Sequence, residues 1–319
     1  VAPETLSTFR FALIAFALVA LAASLVEGLV LTIAKRAYDW REALASLAVA
    51  VVRRFTDLLP LAIAMPGGWW LYEHRLASPP LDAWWSWALL GLGLEFCYYW
   101  YHRAAHRVRW FWASHAVHHS PNAFNLSAAY RLGWTGRASG TLLFFLPLAW
   151  LGFPPPAIAA MFALNLLYQF WIHAEWIPRL GPLEGWLNTP SAHRVHHAAD
   201  VEYLDANYGG VLLVFDRLFG TYVAEREDLA PRYGWVVPLR TYNPVRIAFF
   251  QWVAILRDLR RARGWRERAG YLFGPPGWSP DGPGETTEAL RARAGLDARG
   301  RALAPQRRVP PEAGGHVRA

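Results

Sequence analysis

Only one cysteine, one lysine and two methionines occur in the 319 residues, and charged side chains make up only 18% of the chain. A single thiol, Cys97, excludes an intrachain disulfide framework and an iron–sulfur cluster, and it fits a reducing compartment. Its place in an apolar run reads as a buried, inert thiol. There is no GxGxxG dinucleotide fingerprint, no HExxH zinc-hydrolase motif, no cytochrome b5 segment and no repeat of 20–50 residues. The chain therefore has no electron carrier of its own within these residues. Sparse charge with 54% hydrophobic and 15% aromatic residues points to a bilayer as part of its solvent.

What is present begins with apolar runs. Phe11 to Ala34 is interrupted only by Glu27 and is long enough to cross a hydrocarbon core of about 30 Å. It exceeds the apolar core of a secretory signal, and no small-residue cleavage site follows it. Phe55–Glu73 and Asp82–Tyr101 read as further spans, the second carrying Glu95. Ala138–Ile172 reads as a helical hairpin broken at Gly152-Phe153-Pro154-Pro155-Pro156. The expected fold is all-α: polytopic membrane helices beneath a cytoplasmic helical cap. Residues 1–274 form one membrane-embedded domain in this reading, with its histidine-rich region at about 83–222. Residues 275–319, rich in Pro, Gly and Arg, read as a flexible tail with a short helix around Thr287–Ala294.

The formal charge is +8, and the arginines cluster beside the spans and histidine segments. Positive-inside asymmetry places the histidine region and Lys35, Arg36, Arg41, Arg53 and Arg54 in the cytoplasm. Anionic lipid headgroups explain these arginines better than nucleic acid, for which no motif exists. A lone lysine among 32 basic residues reflects a GC-rich, hence bacterial, genome, and the expected location is a bacterial inner membrane.

Histidine is the exception to this scarcity of polar chemistry. Nine of the eleven fall between His102 and His197, and eight form the blocks His102-x3-His106, His115-x2-His118-His119 and His193-x2-His196-His197. Residues three and four apart share a helix face, with Cβ atoms about 5–6 Å apart, so each block converges on one point. A tetrahedral zinc site takes four ligands, so nine imidazoles suit two metals. Iron, zinc, copper and nickel all accept such donors. His173 stands apart, with Gln169 one turn earlier on the same face, and extends the set. His74 and His316 are isolated and read as ordinary surface or core residues.

The blocks have legible frames. His102 and His106 continue the third span as a rigid arm. Pro121 marks a helix stop after the second block, and Thr189-Pro190 supplies an N-cap and first helical residue before the third. Nine neutral imidazoles around two dications leave about four positive charges to be compensated. Glu95, Glu175, Asp200, Glu202 and Asp205 are the carboxylates near enough in sequence to contribute. Trp110, Trp112, Tyr130, Trp134, Phe170 and Trp171 suit either a lipid tunnel or interfacial anchoring.

In order and spacing, HxxxH, HxxHH and HxxHH behind apolar spans resemble the fatty-acid hydroxylase and sterol desaturase superfamily of histidine-rich, integral-membrane di-iron proteins, nearest to alkylglycerol monooxygenase-like bacterial members. Phe96-Cys-Tyr-Tyr-Trp-Tyr-His-Arg103, Tyr168-Gln-Phe-Trp-Ile-His-Ala-Glu175, Asn207-Tyr-Gly-Gly210 and Phe215-Asp-Arg-Leu-Phe-Gly-Thr221 strengthen the likeness. It implies His102, His106, His115, His118, His119, His173, His193, His196 and His197 as ligands of two Fe ions, with zinc able to substitute. Glu95, Gln169, Glu175 and Asn207 are then expected to support them. Gln169 stands where some relatives have a further histidine, and Glu95 where aspartate is common.

The activity implied is O2-dependent hydroxylation of a lipid C–H bond with an external reductant, such as tetrahydrobiopterin, ferredoxin or a cytochrome b5 type donor. A lipid or sterol desaturase on the same scaffold is the alternative. A non-catalytic metal-binding or transport protein is the rival from another class.

Overall fold

A computed structural model describes residues 3–303. Its secondary structure is entirely helical, with only isolated β-bridges among the described residues. The histidines sit where short helices and loops meet the ends of long ones.

Helix α1 (Pro3–Ile33) contains Ile14–Ile33, the one stretch among the described residues both long and apolar enough to cross a membrane by itself. Glu27, the break in that run, is buried, and its carboxylate accepts from Leu126 N at 2.8 Å and Trp176 Nε1 at 3.0 Å. Helix α2 (Trp40–Thr56) starts at Asp39, whose Oδ1 accepts from Arg41 N and Glu42 N. Such a cap satisfies two donors that the helix itself leaves unpaired.

The second expected span is divided. Its helix α3 (Leu58–Glu73) has 16 residues and begins only after Asp57, with Pro66 inside it. The third continues as expected: α4 (Trp84–Arg107) runs 24 residues without a break and carries His102 and His106 on its last turns. Leu90, Leu94, Cys97 and Tyr98 of α4 pack against Phe145, Leu148, Phe153 and Ala157 of the hairpin, so Cys97 is buried as anticipated.

The hairpin's first arm is shorter than its composition suggests. It consists of a 3-10 turn, Thr141–Phe145, and the six-residue α6 (Leu146–Leu151). Gly152 ends it in the left-handed region at φ 117°, and a Cβ there would lie 2.2 Å from Ala77 O. Pro154 and Pro155 then start α7 (Pro155–Trp171), where a missing N–H costs nothing.

Two short helices complete the histidine region. Helix α5 (Arg109–His115) ends earlier than Pro121 suggested, so His118 and His119 lie in the following turns. Helix α8 (Pro190–His197) is capped by Thr189, whose hydroxyl accepts from Ala192 N. Helix α9 (Val214–Phe219) follows, and the amphipathic α10 (Pro244–Arg261) packs Ile247 and Ala248 on Ala45 and Val49 of α2.

Beyond α11 (Trp265–Phe273), the expected flexible tail is instead folded as far as residue 303. Helix α12 (Thr287–Arg293) inserts Arg291, which donates to the carbonyls of Val201, Leu204 and Ala298. Proline and glycine here shape a docked strap because those buried bonds replace a regular core. Residues 304–319, with His316, lie outside the described residues.

Candidate metal centre

All nine histidines of the 102–197 segment converge, and they divide into two sets. His102, His106, His115, His119 and His196 form one; His118, His173, His193 and His197 form the other. Within each, one ring nitrogen per residue lies within 4.8 Å of all the others. The HxxHH blocks do not map one to a metal. Each is split, because neighbouring residues at positions 118 and 119, and at 196 and 197, point to different sides.

The closest nitrogens face one another. His102 Nε2 and His115 Nε2 are 2.9 Å apart, His115 and His119 Nε2 3.1 Å, His193 and His173 Nε2 3.1 Å, and His173 and His118 Nε2 3.4 Å. Two nitrogens each about 2.0–2.1 Å from a shared ion would stand roughly 2.9–3.4 Å apart for angles between square and tetrahedral. His106 Nε2, His196 Nε2 and His197 Nε2 are buried without any hydrogen-bond partner. Leaving such atoms unpaired is costly, and a metal in each set removes that cost. The residues present therefore fit two ions.

Backbone carbonyls, more than carboxylates, aim the rings. His102 Nδ1 donates to Tyr208 O at 2.7 Å, His196 Nδ1 to Ala206 O at 2.8 Å, His173 Nδ1 to Gln169 O at 2.8 Å and His118 Nδ1 to Arg131 O at 3.3 Å. This fixes the tautomer that leaves Nε2 free to bind. Burial lowers the pKa of His115, His118, His119, His193, His196 and His197 well below the usual imidazole value, and neighbouring imidazoles lower it further. Burial takes His173 down to about 4, against its bond to the Gln169 carbonyl. Neutral rings are the state that binds metal.

The expected supporting residues are placed differently. Glu95 touches no imidazole: its Oε2 accepts from Val211 N and Leu212 N, and its Oε1 from Asn165 Nδ2. Gln169 commits its amide elsewhere, donating to Asn165 Oδ1 and accepting from the Tyr98 hydroxyl. These four side chains form a continuous polar chain inside the apolar packing, which explains why such groups are tolerated there. Glu175 is exposed; its backbone carbonyl accepts from Arg194, and its carboxylate accepts from the Tyr233 hydroxyl rather than from an imidazole. Asn207, at φ 56°, acts through its side-chain amide: Nδ2 donates to Ala192 O and Val223 O, and Oδ1 accepts from Val223 N.

Among the sequence's other carboxylates, Asp200 pairs with Arg232, while Asp205 stands 3.5 Å from His106 Nδ1. Burial disfavours ionisation of Asp205, but His106, Arg107 and the Thr287 hydroxyl outweigh it and hold its carboxyl well below the usual range.

Arg131, Ala206, Tyr208 and Asp216 escaped sequence reasoning. Tyr208 and Ala206 serve through carbonyl oxygens, which no side-chain pattern reports. Asp216 holds their loop, its oxygens accepting from Tyr208 N, Gly209 N and the Thr221 hydroxyl. Burial pushes its carboxyl up to about 6 against those donors. The Asn-Tyr-Gly-Gly run followed by aspartate was the available signal. Of the aromatic candidates, Trp134 is core, bonded to Val49 O, and Trp112 stacks on Trp235 beside the five-histidine set. A cavity of about 430 Å³ opens there, reaching His106, His119 and His196 beneath Pro275, Pro276 and Leu290.

Comparison with known proteins agrees with this construction. The sequence model described as Fatty acid hydroxylase matches residues 87–221. An alkylglycerol monooxygenase from Homo sapiens is 40% identical over 243 residues, covering 76% of this chain and 54% of that protein. An ornithine lipid hydroxylase from Rhizobium tropici is 33% identical over 135 residues, 42% of this chain and 41% of its own. A Delta(7)-sterol 5(6)-desaturase from Leptosphaeria maculans is 27% identical over 189 residues, 58% of this chain and 46% of its own. The chain thus spans about half the length of the curated relatives it matches. No solved structure matches it. With both histidine sets inside the matched segment, residues 87–221 form a fatty acid hydroxylase domain.

Proposed function

We propose that this chain is a multi-pass membrane monooxygenase that hydroxylates a lipid C–H bond, using two irons held by the nine histidines, O2 and an external reductant. The observation that carries the reading is the pair of abutting all-histidine sets, five and four. Two redox-active ions held there supply what protein side chains lack, the activation of O2 toward an unreactive C–H bond. A hydrolytic zinc site would need fewer imidazoles and a general base beside them.

The chain's own residues supply order and dryness. Carbonyls of Tyr208, Ala206, Gln169 and Arg131 orient the rings, so little reorganisation accompanies metal binding. Phe124 stacks over His173 and on Tyr233, and Tyr98 packs edge-on against His102, keeping water from the four-histidine set and from the α4 side. Exposed apolar residues on α3 and α4, including Ile63, Trp70, Trp84 and Leu92, support further bilayer crossings beyond Ile14–Ile33. A site at the ends of such crossings would be within reach of a lipid chain. The arginines around the histidine segments support a cytoplasmic face in a bacterial inner membrane.

The test is metal analysis joined to turnover in membranes. Two irons per chain, with O2 consumed only when reductant and lipid are both present and a product heavier by one oxygen, is the expected result. A product lighter by two hydrogens assigns desaturation instead. One zinc and no O2 uptake by iron-reconstituted protein overturns the oxygenase reading.

A further inference from the structure

Helix α10 has two apolar faces on opposite sides. Ile247, Ala248 and Ile255 are buried against the body of the protein, while Val245, Phe249, Val253 and Leu256 are exposed by 55%, 38%, 59% and 53%. Their spacing, four, four and three residues, makes one continuous outward stripe. Nothing among the described residues covers it. Arg246, Arg257 and Arg261, all exposed, project along one flank of that stripe, and the exposed Arg260 continues its line one turn beyond Leu256. The helix's sole acid, Asp258, is already paired with Arg109.

The helix also begins at a telling level. Tyr242 donates its hydroxyl to Asp39 Oδ2 at 2.6 Å, and Asn243 caps α10 on the next residue through Val245 N and Arg246 N. Asp39 lies only six positions beyond Ile33, where the apolar stretch of α1 ends. The start of α10 is thereby tied to the height at which the chain leaves the hydrocarbon. Trp265, 75% exposed just after the helix, is a residue type that favours that boundary.

We infer that α10 lies in the plane of the bilayer surface, its Val245–Leu256 stripe sunk among acyl chains and its arginines against anionic headgroups. This rests on Ile14–Ile33 crossing the membrane, the reading proposed above. An apolar stripe flanked by a one-signed row of guanidinium groups fits an anionic lipid surface, since neither a neutral bilayer nor a second copy of this basic face would satisfy the arginines. The helix would hold the α2–α5 side of the metal region at headgroup depth.

The test places a cysteine on the stripe, Val253→Cys, in the full chain in nanodiscs of phosphatidylglycerol or phosphatidylcholine, and follows its reaction with a charged, water-soluble maleimide. Cys97 is buried and wild-type protein sets the background; Glu227→Cys, at a side chain 91% exposed, is the accessible control. In phosphatidylglycerol the Val253→Cys thiol should react at least about tenfold more slowly than the control, and replacing Arg257, Arg260 and Arg261 by Gln should restore most of that rate. Equal rates overturn the placement, as does protection indifferent to lipid charge and arginine removal. Protection that disappears on dilution in detergent assigns a second copy and also overturns it. Retention in the discs with fast labelling removes only α10 from the surface; failure to enter the discs removes the Ile14–Ile33 span as well.

Discussion

His106 is the one imidazole of the two sets whose ring faces a carboxylate among the described residues, with Asp205 Oδ1 3.5 Å from its Nδ1. The same carboxylate accepts from Arg107 Nη1 at 2.6 Å, and Arg107 also pairs with Glu288 of α12. A member of the five-histidine set is thus connected to the C-terminal strap through two side chains.

Replacing Asp205 by Asn keeps the shape but removes the charge that steadies His106. Loss of such a partner lowers metal affinity by about 10–100-fold. Metal-to-protein ratios after graded chelation should show one ion released earlier than in the unaltered protein, while the other is held as before. Simultaneous early loss of both ions would contradict the division into sets.

His196→Ala and His193→Ala provide the complementary comparison, since the two residues share α8 but serve different sets. Each should abolish turnover and reduce the content from two metals to one, with the protein still in the membrane. Their spectra should differ because the surviving ion differs. Full activity in either variant refutes the ligand assignment.

Acid should destabilise the metal-free protein in a defined window. The buried rings have folded pKa values below the unfolded one, so the unfolded chain takes up protons first as pH falls. Stability is fully present above about 6.5 and declines from there through about 4 for His173, with the more depressed rings extending the loss below. Bound metal competes with those protons, so the loaded protein should begin to unfold at a lower pH. Melting temperatures of chelated and loaded samples measure the difference; parallel curves would show that the rings do not set it.

Arg291→Ala should loosen the strap from the site. The guanidinium donates to Val201 O at 3.2 Å, Leu204 O at 2.5 Å and Ala298 O at 2.6 Å. Leaving buried carbonyls unpaired costs about 1–3 kcal/mol. A lower melting temperature and faster proteolysis near residue 290 are expected, together with easier metal release from the five-histidine set.

Local chemistry was the legible part. Spacing of imidazoles, the Thr189-Pro190 cap, the triple-proline break and the buried character of Cys97 all follow from interactions within a few residues, and the sequence carries them directly. Glu95 was misread for the same reason: its position two turns before His102 suggested support for that ring, yet its carboxylate finds better donors in Val211 N and Leu212 N. Gln169 supports His173 through its carbonyl while its amide bonds to Asn165 and Tyr98, and the Glu175 carboxylate bonds to Tyr233, because proximity along a chain does not fix which way a side chain turns.

Residue types and their spacing therefore determined that this protein is helical, apolar and equipped with enough imidazole for two metals. Which histidine joins which set, that His196 and His197 part company, and that Ala206 and Tyr208 aim rings through their carbonyls were decided only when distant segments packed together. A hydrogen bond from a ring to a backbone oxygen depends on where the loop is held, and here Asp216, Asn207 and Arg291 hold it from positions that no local periodicity connects to the metals.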